Sequence, residues 1–265
     1  MSIDSQTLIN KYITFDKPVP YKDLYIYPIK LCDMYDVDNA IDILEIDKNE
    51  LGDINFISMS NLRFVLLAIN EIEGLGTSFE YLLRKALNIS DDYAIQKYIS
   101  SKEEYLILGK ILSISEDEAI LQKDTVIKID AEDFNEIRRI ILYQNIVDYT
   151  DRYIDPDIKR KTDEYYRLKN KDAKMVPLEH KMLCVQAKTG MTLEAIGKLS
   201  IRNFYQLFDV IVDEDEYIIG KSAELSGSVK FKTPIEHWAY KEKKDKYAEA
   251  FCDADSFISH VQSAN

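Results

Sequence analysis

MTLEAIGKLSIRNFYQLFDVIVDEDEYIIGKSAELSGSVKFKTPIEHW, residues 191–238, decides how this chain is read. It holds three helical patterns and a proline-stopped tail. Thr192 stands where a helix N-cap accepts a backbone N–H ahead of LEAIGKL, and Ser200 does the same ahead of IRNFYQLFDVIV. In the second pattern Phe204, Leu207, Phe208 and Ile211 recur at three- and four-residue spacing, the apolar stripe of an amphipathic helix. The acidic run 213–216 (DEDE) predicts a solvated interhelical loop, followed by a third helix, EYIIGKSAEL, that ends near Gly227. Pro234 then introduces a turn leading to Trp238, the only tryptophan.

The stretch just upstream is helical too. Pro177 sits at a helix start, and LEHKMLCVQAKTG places Leu178, Met182 and Val185 on one stripe before Gly190 closes it. Residues 148–176 are the most polar region, with few apolar residues at core spacing, and predict an exposed helix or hinge. Asp130 reads as the N-cap of AEDFNEIRRIILYQN, whose early acids suit the positive end of a helix. Residues 92–129 differ in character. YAIQKYI, YLILGKILSI, EAIL and TVIKI are short, β-branched or aromatic, which predicts a small antiparallel sheet, with EAILQKDTVIKI as a hairpin and a helix over 104–113 as the alternative.

The N-terminal third adds a short helix within 2–14 and an extended segment around Leu24–Ile29, with Pro28 suggesting an edge. Helices follow over 32–46, from Ser58 or Ser60, and from a Ser78 cap. Residues 47–53 predict a turn. The expected fold class is mainly α with a small antiparallel β insertion (α+β). The expected organisation is a helical domain over 1–147 with its β region near 92–129, a polar segment over 148–176, and a C-terminal helical domain over 177–265.

Composition limits the function. Hydrophobic residues make up 46% of the 265, enough for a core without staples. Acids outnumber bases 47 to 34, and the net charge of −13 repels nucleic acid and anionic lipid heads. MTLEAIGKLSIRNFYQL, residues 191–207, has helix-turn-helix length with a turn at Leu199–Ser200, but its second helix is aromatic and offers only Arg202 as a base, which argues against reading DNA. Cys32, Cys184 and Cys252 are far apart and odd in number, so buried free thiols are expected, with neither a disulfide framework nor a zinc site. No uncharged run spans a bilayer, and MSIDSQTLINKY lacks the charge and apolar pattern of a secretory signal.

Catalytic chemistry finds little footing. There is no P-loop, dinucleotide fingerprint, HExxH or GxSxG. His180 and Cys184 are four apart on a predicted helix, but an amphipathic helix explains them as well as a nucleophile pair. The DEDE run lacks the alternating ligands and turn glycine of a calcium loop, and Asp36, Asp38 and Asp42 read as a solvated helix face. No catalytic residue, metal or cofactor is expected. Trp238, beside Glu236 and His237, suits the anchoring of the tail to the body, with a binding cleft as the alternative reading.

Four patterns carry a family resemblance: MTLEAIGKLSIRNFYQLFDVIV (191–212), KSAELSGSVKFKTPIEHW (221–238), PYKDLYIYPIKLCDMYDVDNAIDILEIDKNELGDINFISMSNLRFVL (20–66) and IDAEDFNEIRRIILYQN (129–145). Together they cover roughly half the chain, and the chain resembles tail assembly chaperones and tail-module proteins of tailed bacteriophages of Gram-positive hosts. What the resemblance implies is non-enzymatic protein binding in the host cytoplasm, with the tape-measure protein and tail tube protein of the same phage as partners and no nucleic acid or membrane. The alternative is a structural tail or baseplate component of the virion. Homo-oligomerisation stays open. The residues expected to carry the binding are Phe204, Tyr205, Phe208 and Trp238, with Phe251 and Phe257 of the amphipathic tail as second choice.

Overall fold

The computed structural model describes residues 3–115, 118–152, 154–169, 171, 176–227, 231, 233–240 and 247. In chain order the helices are α1 (Ser5–Lys11), α2 (Met34–Glu45), α3 (Ile54–Ser58), α4 (Asn61–Glu71), α5 (Leu75–Ala86), α6 (Ala131–Asn145), α7 (Pro156–Lys169), α8 (Leu178–Thr189), α9 (Leu193–Gly197) and α10 (Ile201–Leu225). The strands are β1 (Val19–Tyr21), β2 (Leu24–Ile26), β3 (Tyr93–Ile99), β4 (Glu104–Ser115), β5 (Glu118–Leu121) and β6 (Ile127–Ile129). The chain is mainly α with two small antiparallel sheets. It divides into two compact units, one of residues 1–149 and 191–206, the other of 150–190 and 207–265. The return of 191–206 to the first unit departs from a contiguous C-terminal domain beginning at 177.

The first unit is built on helices that start where the sequence supplies a cap. Asp4 accepts from Thr7 N (2.9 Å), Ser60 from Arg63 N (3.0 Å), Asp130 from Asp133 N (2.9 Å) and Thr192 from Ala195 N (3.1 Å). Val37, Leu44, Leu62, Phe79, Leu82, Phe134, Ile137 and Ile141, from α2, α4, α5 and α6, are buried in one core. The rings of Phe79 and Phe134 lie 6.1 Å apart in it. Burying such side chains is worth about 1.5–3 kcal/mol each. Ser78 does not cap a helix. Gly74 adopts φ 79, α5 begins at Leu75, and the Ser78 hydroxyl instead donates to Asp36 O at 2.7 Å across to α2.

The sheet confirms the β reading of 92–129 and corrects its pairing. β3 pairs with β4 from Tyr93↔Lys110 to Ile99↔Glu104, and β6 pairs with the same residues of β4 from the other edge, Leu106↔Ile129 to Leu108↔Ile127. Leu106, Leu108 and Ile129 enter the core. The expected hairpin between EAIL and TVIKI does not form. β5 pairs with β4 (Ile114↔Ala119), and a 3-10 turn over Lys123–Thr125 lets the chain continue along β4 rather than reverse. Gln122 N donates to Lys110 O (2.8 Å), and Lys110 N donates to Thr125 Oγ1 (2.9 Å), bridging the interruption.

β1 and β2 form a hairpin that leans on α6. The Tyr21 hydroxyl donates to Asp133 Oδ1 at 2.8 Å, and Lys22 pairs with the same carboxylate. Beyond the hairpin, residues 29–31 run antiparallel to 199–201. Ile201 N donates to Ile29 O (3.0 Å) and Leu31 N to Leu199 O (2.8 Å), which joins the start of α10 to the first unit. Cys32, next in the chain, is exposed, and Cys184 is partly buried, so neither is the buried thiol expected; Cys252 lies outside the described residues.

In the second unit, the expected interhelical loop at Asp213–Glu216 is helix. α10 runs unbroken for 25 residues. No proline interrupts it, Glu is a good helix former, and Gly220 costs only about 1 kcal/mol relative to Ala. α7 is largely exposed, and Tyr247 donates to its Asp163 at 2.8 Å.

Candidate protein-docking surface

The residues expected to bind have different surroundings. Phe204 is fully buried, so its ring packs the interior and is withheld from a partner. Its burial follows from the pairing of 199–201 with 29–31, which seats the first turn of α10 against the first unit. Tyr205 is partly buried, with its hydroxyl 3.8 Å from Met34 Sδ. Burial, with the Asp38 and Tyr35 charges behind it, pushes its phenol up. Phe204 and Tyr205 fall in the first unit, Phe208 and Trp238 in the second. Phe251 and Phe257 lie outside the described residues.

Phe208 is partly buried under α8, with Lys181 Nζ 5.7 Å from its ring centroid. Seven residues further along both helices, Lys188 forms an ion pair with Asp215. That pairing and its hydrogen bond raise the Lys188 ammonium above its ordinary value. α8 and α10 therefore run alongside each other in one direction over this length. Val185, between the two lysines, and Ile211, between Phe208 and Asp215, are both buried.

Trp238 opens a 3-10 turn, Trp238–Tyr240, and is partly exposed. The His237 ring stacks on it at 5.4 Å and meets Tyr217 of α10 at 4.8 Å. The Ala239 N–H donates to His237 Nδ1 at 3.1 Å. Nearby, Ile235 lies over Gly220, where a Cβ would come within 2.8 Å of Ile235 Cδ1. Residues 235–238 thus cover one flank of distal α10.

The other flank is where the sequence reading missed the functional candidates. Phe204, Ile211, Ile218 and Leu225 follow one another at seven-residue spacing on α10, and their exposures are 0%, 5%, 51% and 85%. Ile219 beside them is 70% exposed. The stripe stays apolar while its cover is lost, because α8 ends at Gly190, φ 73, level with Asp215. The heptad spacing was available in the sequence, but a loop at 213–216 hides it.

Other candidates are less developed. Arg202, the base weighed for DNA contact, is buried and donates to Tyr143 O and Ile146 O. His180 is exposed and Cys184 partly buried, and no hydrogen bond joins them among the described residues. Among the described residues, no group of three His, Cys, Asp or Glu side chains is placed to hold a metal. A shallow depression lined by Gly76, Thr77, Glu80, Tyr81, Arg84 and Lys97 is open, and Arg84 is already engaged by Glu80 and by the carbonyls of Ser90 and Tyr93. Among the described residues, no helix is long and apolar enough to cross a membrane. No family model, curated protein or solved structure matches the chain.

Proposed function

We propose that this protein is a non-enzymatic protein-binding factor of bacteriophage tail assembly, which keeps the helical tape-measure protein soluble in the host cytoplasm and recruits tail tube subunits around it. The observation that carries the reading is the apolar stripe of α10, buried at Ile211 and open at Ile218 and Leu225. An uncovered helical stripe with charged flanks is what a helix-binding protein requires, since a helix-in-groove partner buries apolar anchors one turn apart. The resemblance of 20–66, 129–145, 191–212 and 221–238 to tail-module proteins supplies the phage context.

The test is co-expression with the tape-measure protein of the same phage. The expected result is a larger soluble fraction of the tape-measure protein and its co-purification with this chain. Unchanged solubility with no co-purification overturns the proposal. Mass spectrometry of purified particles separates the alternative: a chaperone is absent from the mature virion, whereas a tail or baseplate component is present in stoichiometric amount.

A further inference from the structure

We propose that the outer edge of β3, between Tyr93 and Ile99, pairs with an extended segment of another protein that presents a carboxylate opposite Lys97. This surface lies wholly in the first unit and goes beyond the tail-assembly reading, on which it does not depend.

The hydrogen-bond pattern shows which backbone groups are open. Ile111 N donates to Asp92 O (2.7 Å) and Ser100 N to Glu103 O (2.8 Å), at the two ends of the ladder between β3 and β4. In an antiparallel pair, alternate residues turn their N–H and C=O toward the partner strand. Ala94, Gln96 and Tyr98 therefore face β4, and Ile95, Lys97 and Ile99 face away from it. Among the described residues β3 pairs with no other strand. Arg84 donates to the outward carbonyl of Tyr93 (3.1 Å), and Arg63 donates to the carbonyl of Ser100 in the turn that follows the strand. Between these two arginines, the N–H and C=O groups of Ile95, Lys97 and Ile99 have no hydrogen-bond partner among the described residues. A row of open backbone groups on every second residue suits another strand and no helix.

The side chains select the strand. Ile95, Lys97 and Ile99 share the sheet face of Leu106 and Leu108, and Lys97 lines a depression of about 470 Å³ with Gly76, Thr77, Glu80, Tyr81 and Arg84 of α5. Arg84 holds Glu80 at 3.0 Å, and Lys97 forms no ion pair among the described residues, so the uncompensated charge of the lining is positive. The first turn of α5 has the same sign, because Gly74 offers its N–H groups no capping side chain. Residues directly opposite one another on paired strands touch, and opposite charges there attract. The fitting segment therefore reads apolar, any, Asp or Glu, any, apolar, with its apolar residues opposite Ile95 and Ile99. A second copy fits badly. Two β3 edges centred on Lys97 would set one ammonium against the other, which is destabilising. Shifted pairings run into Tyr93 or the turn at Ser100, whose carbonyls Arg84 and Arg63 already hold.

The probe is a Thr-rich peptide with Val-Thr-Glu-Thr-Val at its centre, compared with one carrying Lys for Glu, with binding to the full chain read by fluorescence anisotropy. The Glu peptide is expected to bind roughly threefold to tenfold more tightly than the Lys peptide, and Lys97→Glu is expected to invert that order. Lys97 is exposed, so the variant is expected to keep the wild-type unfolding midpoint. Residue-resolved amide exchange reads the edge itself. In the free chain Ile95, Lys97 and Ile99 are expected to exchange faster than Gln96 and Tyr98, and the Glu peptide is expected to slow all three. Equal binding by the two peptides, no binding by either, or an order that Lys97→Glu leaves unchanged overturns the proposal. So does slow exchange at Ile95 and Lys97 in the free chain, which means that the edge is already covered. The cover is then a second copy if light scattering gives a dimer, and this chain's own residues if it gives a monomer. α10 and the tape-measure protein take no part in these measurements, so failure here leaves the co-expression test standing, and failure there leaves this edge.

Discussion

The Arg202 guanidinium donates to the carbonyl oxygen of Tyr143 at 3.1 Å, across 59 residues of chain, and to that of Ile146 from the same nitrogen. These are carbonyls at the C-terminal end of α6, which have no partner within the helix. The first turn of α10 thus caps α6 with a buried cation. Burial pulls the guanidinium below its ordinary value while the Asp148 charge opposes that shift.

Replacing Arg202 tests this cap. Arg202→Met removes the donor and leaves the two carbonyls to find other partners, a loss of roughly 2–4 kcal/mol. Arg202→Lys keeps the charge without the planar fork and is expected to recover part of the loss. Urea unfolding orders the three proteins, and equal midpoints for wild type and Arg202→Met contradict the capping role.

Asp133 sets an acid limit on stability. Burial alone would raise this carboxyl, but hydrogen bonds from Lys22 and Tyr21 outweigh it and hold it below its ordinary value. A carboxyl depressed in the folded state contributes stability above its unfolded pKa of about 3.9 and loses it as pH falls through the lower folded value. Asp133→Asn is therefore expected to cost roughly 1–3 kcal/mol at neutral pH. Its deficit against wild type should shrink toward pH ~3. Urea midpoints at the two pH values check this, and a deficit that grows in acid refutes it.

Gly109 and Leu121 test the path of the β5 strand. A Cβ on Gly109 would lie 3.0 Å from Leu121 Cδ1 and 3.2 Å from Leu121 Cβ. Gly109→Val is expected to destabilise by roughly 1–3 kcal/mol through overpacking. Adding Leu121→Ala makes room, so the double variant should lose less than the sum of the single changes. Strict additivity in thermal unfolding places Leu121 elsewhere.

Gly220 offers an optical test, because Trp238 is the only tryptophan in the chain. Gly220→Ala gains about 1 kcal/mol of helix propensity, and the added methyl displaces only the tip of Ile235. Gly220→Leu pushes Ile235 away and carries the His237–Trp238 stack with it. Its expected signature is red-shifted emission with faster acrylamide quenching and unchanged far-ultraviolet helicity. Unshifted emission from Gly220→Leu shows that residues 235–238 are not held by Gly220.

What could be read in the sequence was local. The caps at Asp130 and Thr192 were legible, and the cap at Ser60 as one of two serines, because the side chain and the N–H it accepts are three residues apart. The strands of 92–129 were legible in their β-branched and aromatic runs. Their pairing was not, because β4 is long enough to take β3 on one edge and both β5 and β6 on the other. The acidic run 213–216 misled because solvated charge suits a loop and an exposed helical turn equally well.

By itself the sequence determined the secondary-structure class, most helix starts, the acidic balance and the apolar face of each helix, all of which follow from residue type over a few turns. Only the tertiary structure decided which parts of those faces are used. Phe204, a binding residue by its sequence pattern, is buried, while Ile218 and Leu225 on the same stripe are open. The physical reason is the relative register of α8 and α10. Exposure of a side chain depends on where a neighbouring helix ends, and no local pattern along α10 contains the position of Gly190.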